Sequence, residues 1–355
     1  MGRHIIAMDT HCQFVEYVVL SESGRIRSRG KKGTTIPELV GLIETVRRPR
    51  EVVMEEGPLA HWLVRELRPH ADQVVACDPR RNALIAKDSD KDDPIDALKL
   101  AQLYRGGYVQ PVHHGDSVER QLLKRHVALY HDRVRNRVRL SNRILAECRG
   151  YGVFAREGAL KEAKSREELL DRLPASKLLR TDLKLLLAEY DLACKNIQLL
   201  RRQLVRQAKT FEPIVRFTAL PGVKWVRAAT FFAFVDTPWR FRSKQALWRY
   251  MGIGLERRHS GTGPMQVRVP ASARVCRPLK NVILGAAMSA IAGRDNRFAE
   301  RYEEWIHAGL TPRNARRNVA RSLAAVLWGM FKNGGAYRPD GVGVSTADLS
   351  CCVAS

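Results

Sequence analysis

Over its first 105 residues the chain keeps changing its hydrophobic period, and that alternation constrains its fold more than any single motif. "HIIAMD" (4–9), "QFVEYVVL" (13–20) and "GRIRSRGKK" (24–32) predict three consecutive strands, with "SESG" as a hairpin turn. A helical stretch follows Pro37, then a strand "EVVME" (51–55) and a helix from Pro58 through "AHWLVREL". A strand "QVVAC" (73–77), a short helix after Pro79 and a helix through "KDDPIDALKLAQLY" (91–104) complete the series. The order βββαβαβα predicts a mixed sheet covered by helices.

From about 115 to 209 the strand signal vanishes. Leu122, Val127, Val134, Val138 and Leu145 recur near helical spacing with arginines between them, and "REELLDRL" and "LKLLLAEYDLACKNIQLLRRQLVRQAKTF" continue the pattern. Long helices with a narrow apolar stripe predict a helical hairpin or coiled coil. Near 211 a third unit starts. Pro221-Gly222 stands between apolar stretches in "FTALPGVKWVRAATFFAFV", the pattern of a helix-hairpin-helix whose turn amides, at Gly222 and beside Lys224, can meet a phosphate. "WRFRSKQALWRYMGIG", the polar loop "LERRHSGTGP" (255–264), a strand "MQVRV" and the helices "LKNVILGAAMSAI" and "RNVARSLAAVLWGM" follow. The expected division is 1–114, 115–209 and 210–335, with a disordered tail at 336–355.

The charge says what such a protein meets. With 61 Lys plus Arg against 37 Asp plus Glu, a net charge of +24 predicts a polyanionic partner, nucleic acid rather than a membrane surface. The arginine face of Arg133, Arg135, Arg137, Arg139 and Arg143 is the first candidate for backbone contact. Seven cysteines without a C-x-x-C pair argue against a disulfide framework or a zinc site and for a reducing cytosol. No signal peptide and no apolar run of membrane-spanning length is found, so a cytoplasmic protein is expected.

Against that positive charge, the acids are concentrated. Asp93 precedes Pro94 and reads as an N-cap, with Asp96 as the third helical residue. Asp9 ends the first strand, and Glu55, or its neighbour Glu56, ends the fourth. In a sheet of this order the first and fourth strands can lie side by side, giving four carboxylates a common focus. Such a cluster repels itself unless cations sit within it. Hard oxygen ligands favour Mg²⁺ or Mn²⁺, and two such ions can clamp a phosphodiester displacement.

These elements resemble the α/β ribonuclease H-like (RuvC-type) nuclease fold. "KDDPIDALKLAQL" is similar to the K-x-D-x-x-D-A-x-x-L-A signature of the DEDD transposases of the IS110 insertion-sequence family, the bridge-RNA-guided recombinases. "AMDTH", "VVMEEGPLAHWL" and "LPGVKWVRAATFFAFV" fall where that family places its first acid, its Glu strand and its helix-hairpin-helix, so the resemblance runs from about residue 3 to 335. It implies Asp9, Glu55, Asp93 and Asp96 as the metal-binding acids, and a serine nucleophile in a mostly α C-terminal transposase domain. In "YMGIGLERRHSG" that serine is Ser260, near Arg257 and Arg258; without the resemblance, "HSGTG" reads as a glycine-flanked turn.

The chain departs from the family pattern twice. Many relatives have Glu-x-Thr-Gly where this chain has Glu55-Glu56-Gly57, and the segment "VRVPASARVCRPLKNVI" replaces Gly-x-Ile-x-Lys-x-Gly, leaving Arg274, Arg277 and Lys280 for its phosphate-binding role. The resemblance further implies a homo-oligomer, dimer or tetramer, acting on donor and target DNA with a structured guide RNA, through a phosphoserine intermediate. Other readings of the same residues are a metal-dependent Holliday-junction-type nuclease, a site-specific DNA invertase and a non-catalytic nucleic-acid-binding protein.

Overall fold

The computed structural model describes residues 2–78, 93–113, 115, 117–258, 266–268 and 275–339, with the backbone alone at 93–95, 256–258 and 266–268. The chain divides into two compact units, Met1–Asp116 and Ser117–Ser355.

In the first unit β1 (His4–Thr10), β2 (Phe14–Ser21) and β3 (Ile26–Gly33) form an antiparallel meander. The β2–β3 turn closes through Gly24, at φ +86°, whose N–H donates to the Ser21 carbonyl. β4 (Arg50–Glu55) runs parallel to β1, β5 (Gln73–Cys77) parallel to β4, and the two-residue β6 (Pro111–Val112) antiparallel to β5. The sheet order is β3-β2-β1-β4-β5-β6.

Strand alternation sends neighbouring residues to opposite faces, and both faces are apolar. Ile6, Met8, Val52 and Met54 pack with α1 (Ile36–Thr45) and α2 (Ala60–Leu67). Ile5, Ala7 and Val53 pack on the other side against Ala97, Leu100 and Ala101 of α3 (Asp93–Arg105). α3 includes Asp93 as its first residue, so Asp93 lies inside the helix where the sequence predicts a cap. The short helix expected after Pro79 lies outside the described residues.

Buried Arg50 ties α1 to β4. Its guanidinium donates to the carbonyls of His70 (2.9 Å), Val46 (2.9 Å) and Glu44 (3.2 Å), taking up carbonyls left over at the end of α1. Its own N–H donates to Asp72, whose carboxyl is held below the usual range by that bond and by Arg48.

Among the described residues, the second unit is helical apart from one short hairpin. α4 (Val118–Gly150) and α6 (Lys177–Ala208), each about 50 Å long at 1.5 Å per residue, pack side by side. They run antiparallel: Cys148 shares a core with Leu183 and Tyr190, while His126 reaches the Leu200 carbonyl at 3.0 Å. α5 (Ala163–Asp171) covers their far end, where Arg166 grips Asp191 with two bonds of 2.6 and 2.8 Å. Their near ends, through Leu123, Val127, Leu204 and Ala208, join the main core.

That core is built by α7 (Glu212–Phe217), α8 (Trp225–Val235), α9 (Lys244–Tyr250), α10 (Arg277–Ala292), α11 (Arg297–His307) and α12 (Pro312–Asn333). Side-chain caps start many of these helices: Ser117, Ser176, Ser243, Asn296 and Thr311 each accept a backbone N–H of the first turn, worth about 1 kcal/mol apiece. Phe217, Phe231, Phe232 and Phe331 meet ring to ring within 5.7 Å at the centre. β7 (Glu256–Arg258) and β8 (Gln266–Arg268) pair antiparallel, the latter inside the expected strand. The expected disordered tail lies outside the described residues from 340 onward. No described helix is long and apolar enough to cross a membrane.

Candidate functional site

The face of the sheet under α3 decides where the acids stand. Ile5 and Ala7 face α3, so Asp9, two residues on, belongs to the same face; Val53 places Glu55 there in the same way. Parallel register pairs Met8 with Met54, which leaves Asp9 and Glu55 level at the C-terminal ends of adjacent strands.

The direction of α3 follows from its other end. Tyr104, in its last turn, donates to the Gln73 amide oxygen at the start of β5 at 3.4 Å, and burial together with the nearby Glu51 carboxylate raises its phenol pKa. Arg3 joins them, 3.1 Å from Glu51. From residue 104 back to 93 the helix spans about 16 Å, and from 51 to 55 the strand spans about 13 Å. The first turn of α3, with Asp93 and exposed Asp96, therefore lies toward the strand ends that carry Asp9 and Glu55. Asp93 stands one turn ahead of Ala97 in the helix.

Glu56 sits differently from Glu55. It is exposed, and its N–H donates to the Cys77 carbonyl at 2.8 Å, extending the pairing with β5 by one bond past the end of β4. Half-buried Asp9 has His11 beside it, Nε2 to Oδ2 3.2 Å, and Phe14 packs on that imidazole. His11 is a neighbour of the acid that the sequence reading does not single out, although "DTH" shows it two residues away. Among the described residues no three His, Cys, Asp or Glu side chains converge as a metal cage; the Asp93 side chain is outside them. Asp9 and Glu55 are both carboxylates at the ends of adjacent strands, and the first turn of α3 lies toward that end of the sheet. That suits a hard divalent cation.

Ser260 lies in 259–265, the connection between β7 and β8, outside the described residues. The base of that hairpin is described and firmly held. Buried Arg321 donates from Nε to the Ile253 carbonyl at 2.7 Å and from its other end to Asn318 at 2.5 Å. The Trp248 indole donates to the Arg321 carbonyl at 3.1 Å. Burial raises the pKa of neighbouring Tyr250 to about 12 and pushes the Cys276 thiol up, so neither is a ready base. Arg321 has no forewarning in the sequence, because its partner is 68 residues away.

The cationic candidates fall in different settings. Arg133 and Arg135 pair with Asp132 at 2.7 and 3.1 Å, Arg137 with Glu157 at 2.6 Å, and Arg139 with the Asn136 amide oxygen at 2.6 Å; Arg143 is exposed. Gly222 turns at φ +74° between α7 and α8, and Arg227 donates to its carbonyl at 2.6 Å. Lys224 is exposed at the start of α8, and Arg277 and half-buried Lys280 occupy the first turn of α10. Arg257 and Arg258 lie in β7 opposite Val267 and Gln266. Arg274 is outside the described residues.

Two families match this chain. Residues 6–151 match one described as Transposase, of the IS110 DEDD type. Residues 215–303 match one described as Transposase IS116/IS110/IS902 family. Together they span about two thirds of the chain. No curated protein matches it. The acid-bearing sheet unit and the core of the helical unit thus match successive parts of one kind of enzyme, and the chain belongs to the IS110 family of DEDD transposases.

Proposed function

We propose that this transposase, an enzyme that cuts and rejoins DNA, does so with a divalent-metal site on Asp9, Glu55, Asp93 and Asp96 and a nucleophile at Ser260. The observation that carries the reading is the level placement of Asp9 and Glu55 on adjacent parallel strands, under the helix that brings Asp93 and Asp96 to the same end. The strand order 3-2-1-4-5 with its antiparallel meander supports a ribonuclease H-like, RuvC-type domain. When bound, Mg²⁺ or Mn²⁺ supplies positive charge to a phosphodiester oxygen.

In this reading Ser260 Oγ forms a bond to the phosphorus, the strand's O–P bond breaks, and the serine proton leaves with the departing oxygen or to solvent. The phosphoserine keeps the strand end until a hydroxyl of the second DNA displaces the serine, passing through a Holliday-junction-like intermediate. Arg257, Arg258, Arg274, Arg277 and Lys280 surround that loop in sequence and would hold phosphates. The turn at Gly222 and Lys224, read as a helix-hairpin-helix, adds a further backbone contact.

The surplus of positive charge supports a second polyanion, a structured guide RNA, with base pairing reading sequence and protein reading shape. Self-association is supported by α6. Leu178, Leu185, Leu192 and Leu199 recur every seven residues on its outer face and are 49–73% exposed. Lys177 and Lys184 flank one side of the stripe and Asp182 and Glu189 the other, which suits a parallel second copy in a coiled coil.

The test is a denaturant-resistant protein–DNA adduct formed with Mg²⁺, the element's DNA ends and its flanking RNA. An adduct lost in Ser260→Ala and in Asp96→Asn is expected. Cleavage without an adduct, persisting in Ser260→Ala, would make the protein a metal nuclease that uses water.

A further inference from the structure

We infer that a cavity in the helical unit receives one unstacked nucleotide of the DNA, its base inside and its phosphates at the rim. The cavity, about 390 Å³, opens between α9, α11, the second half of α12 and the stretch that follows it. That volume falls among small-molecule sites, about 300–1,000 Å³. Its wall is apolar and aromatic, with Trp248, Phe298, Val326, Met330 and Tyr337. The rings of Phe298 and Tyr337 are stacked at 25° with centroids 6.3 Å apart.

The charge around it has one sign. Lys244, Arg297, Arg301 and Arg338 line the cavity, and its described lining includes no carboxylate. Glu304 reaches Arg301 at 3.3 Å from the exposed flank. An aromatic pocket with a cationic rim complements a flat ring tied to a negative group, which is what a nucleotide is. Aromatic stacking accepts any base, and the cations take the flanking phosphates. A paired, stacked base has no free face to offer, so entry selects a nucleotide turned out of the helix. The inference rests on DNA as the substrate of this transposase and is independent of the metal and serine assignments.

The experiment uses the full chain without divalent metal, so that no strand is cut. Three DNA duplexes are compared by fluorescence anisotropy: fully paired, with one bulged 2-aminopurine, and with a bulged abasic position. The bulged base is expected to bind about ten-fold tighter than the abasic bulge, with quenched 2-aminopurine emission. Gly329→Phe fills the cavity from α12, at a position where an added Cβ meets nothing within 4 Å and where leaving glycine favours the helix. It should abolish the base-dependent gain and leave paired-duplex affinity unchanged. Arg297→Gln with Arg301→Gln should weaken both bulged probes and make their binding less steep in salt by about two ions.

Equal binding of base and abasic bulges by the native chain, alongside good binding of paired DNA, overturns the inference alone, as does a gain that survives Gly329→Phe. Binding of no DNA overturns it together with the reading of DNA as substrate. Tighter binding of the same bulge in an RNA duplex overturns the assignment to DNA.

Discussion

Asp9 and Glu55 stand level, each one residue beyond the paired Met8 and Met54, on the sheet face covered by α3. Glu56 is the next residue, exposed, and by strand alternation belongs to the other face. Glu55→Gln should therefore lower Mg²⁺-dependent strand cleavage by about 100-fold or more, the scale of losing one electrostatic stabiliser. Glu56→Gln should stay within about three-fold of the native rate, because a surface amide replaces a surface acid. Melting curves should show Glu55→Gln no less stable than the native chain, since removing charge from a cluster of like charges relieves repulsion, and Glu56→Gln unchanged. An inactive Glu56→Gln beside an active Glu55→Gln would exchange the two roles.

Gly222 is held by packing as well as by its dihedral. A Cβ there would stand 2.2 Å from the Ala286 carbonyl oxygen and 2.9 Å from the Ala290 nitrogen, both main-chain atoms of α10. With φ at +74°, Gly222→Ala should destabilise the helical unit by about 2–4 kcal/mol in urea unfolding. Gly329→Ala, with open space around its Cβ, should instead stabilise it by up to about 1 kcal/mol. A Gly222→Ala chain as stable as the native one would show that the turn can move off α10.

His131 is a neutral imidazole with a fixed tautomer. Thr230 gives its single hydroxyl proton to the Val226 carbonyl at 2.7 Å, so its oxygen accepts from His131 Nε2–H at 2.9 Å. Burial first, then the charge of Arg135, lowers the imidazole pKa to about 4. The unfolded chain, with a histidine pKa near 6.5, takes up the proton first as pH falls, so this contribution is complete above about pH 6.5. It is lost progressively toward pH 4, amounting to about 1–2 kcal/mol after allowance for partial exposure. Denaturant midpoints of native and His131→Gln chains from pH 7 to 4 check this: the variant should lack that part of the slope.

Leu185 and Leu192 lie at the centre of the seven-residue stripe on α6 and face solvent in the single chain. Leu185→Lys with Leu192→Lys should raise the self-dissociation constant by about 100-fold or more, since each buried leucine contributes about 1.5–3 kcal/mol. The folded chain should lose less than about 0.5 kcal/mol, because neither side chain is part of its core. Sedimentation equilibrium separates the outcomes, and unchanged association would move the interface elsewhere.

The sheet unit was readable because period two and period 3.6 alternate cleanly there and a carboxylate follows each of two buried strands. α11 carries a comparable signal, Asn296 as a cap and Phe298, Tyr302 and Trp305 on one side, but its many charges hide it in the sequence. Long-range contacts leave no local trace. The bond from Arg50 to the His70 carbonyl, the grip of Arg321 on Ile253 and the approach of Gly222 to α10 join segments whose meeting only folding decides. The arginines of α4 resemble a free cationic face in sequence, yet Asp132 and Glu157 already engage three of them.

The two margins of the sheet also bear on how such chains meet one another. β3 carries Arg27, Arg29, Lys31 and Lys32 along the outer margin, and β6, at the opposite one, is two residues long and begins with proline. Repulsion guards one border and a missing N–H the other, so neither invites a foreign strand to extend the ladder. Open-ended strand addition between copies of this chain, the route to fibres, therefore meets an obstacle at each end of the sheet.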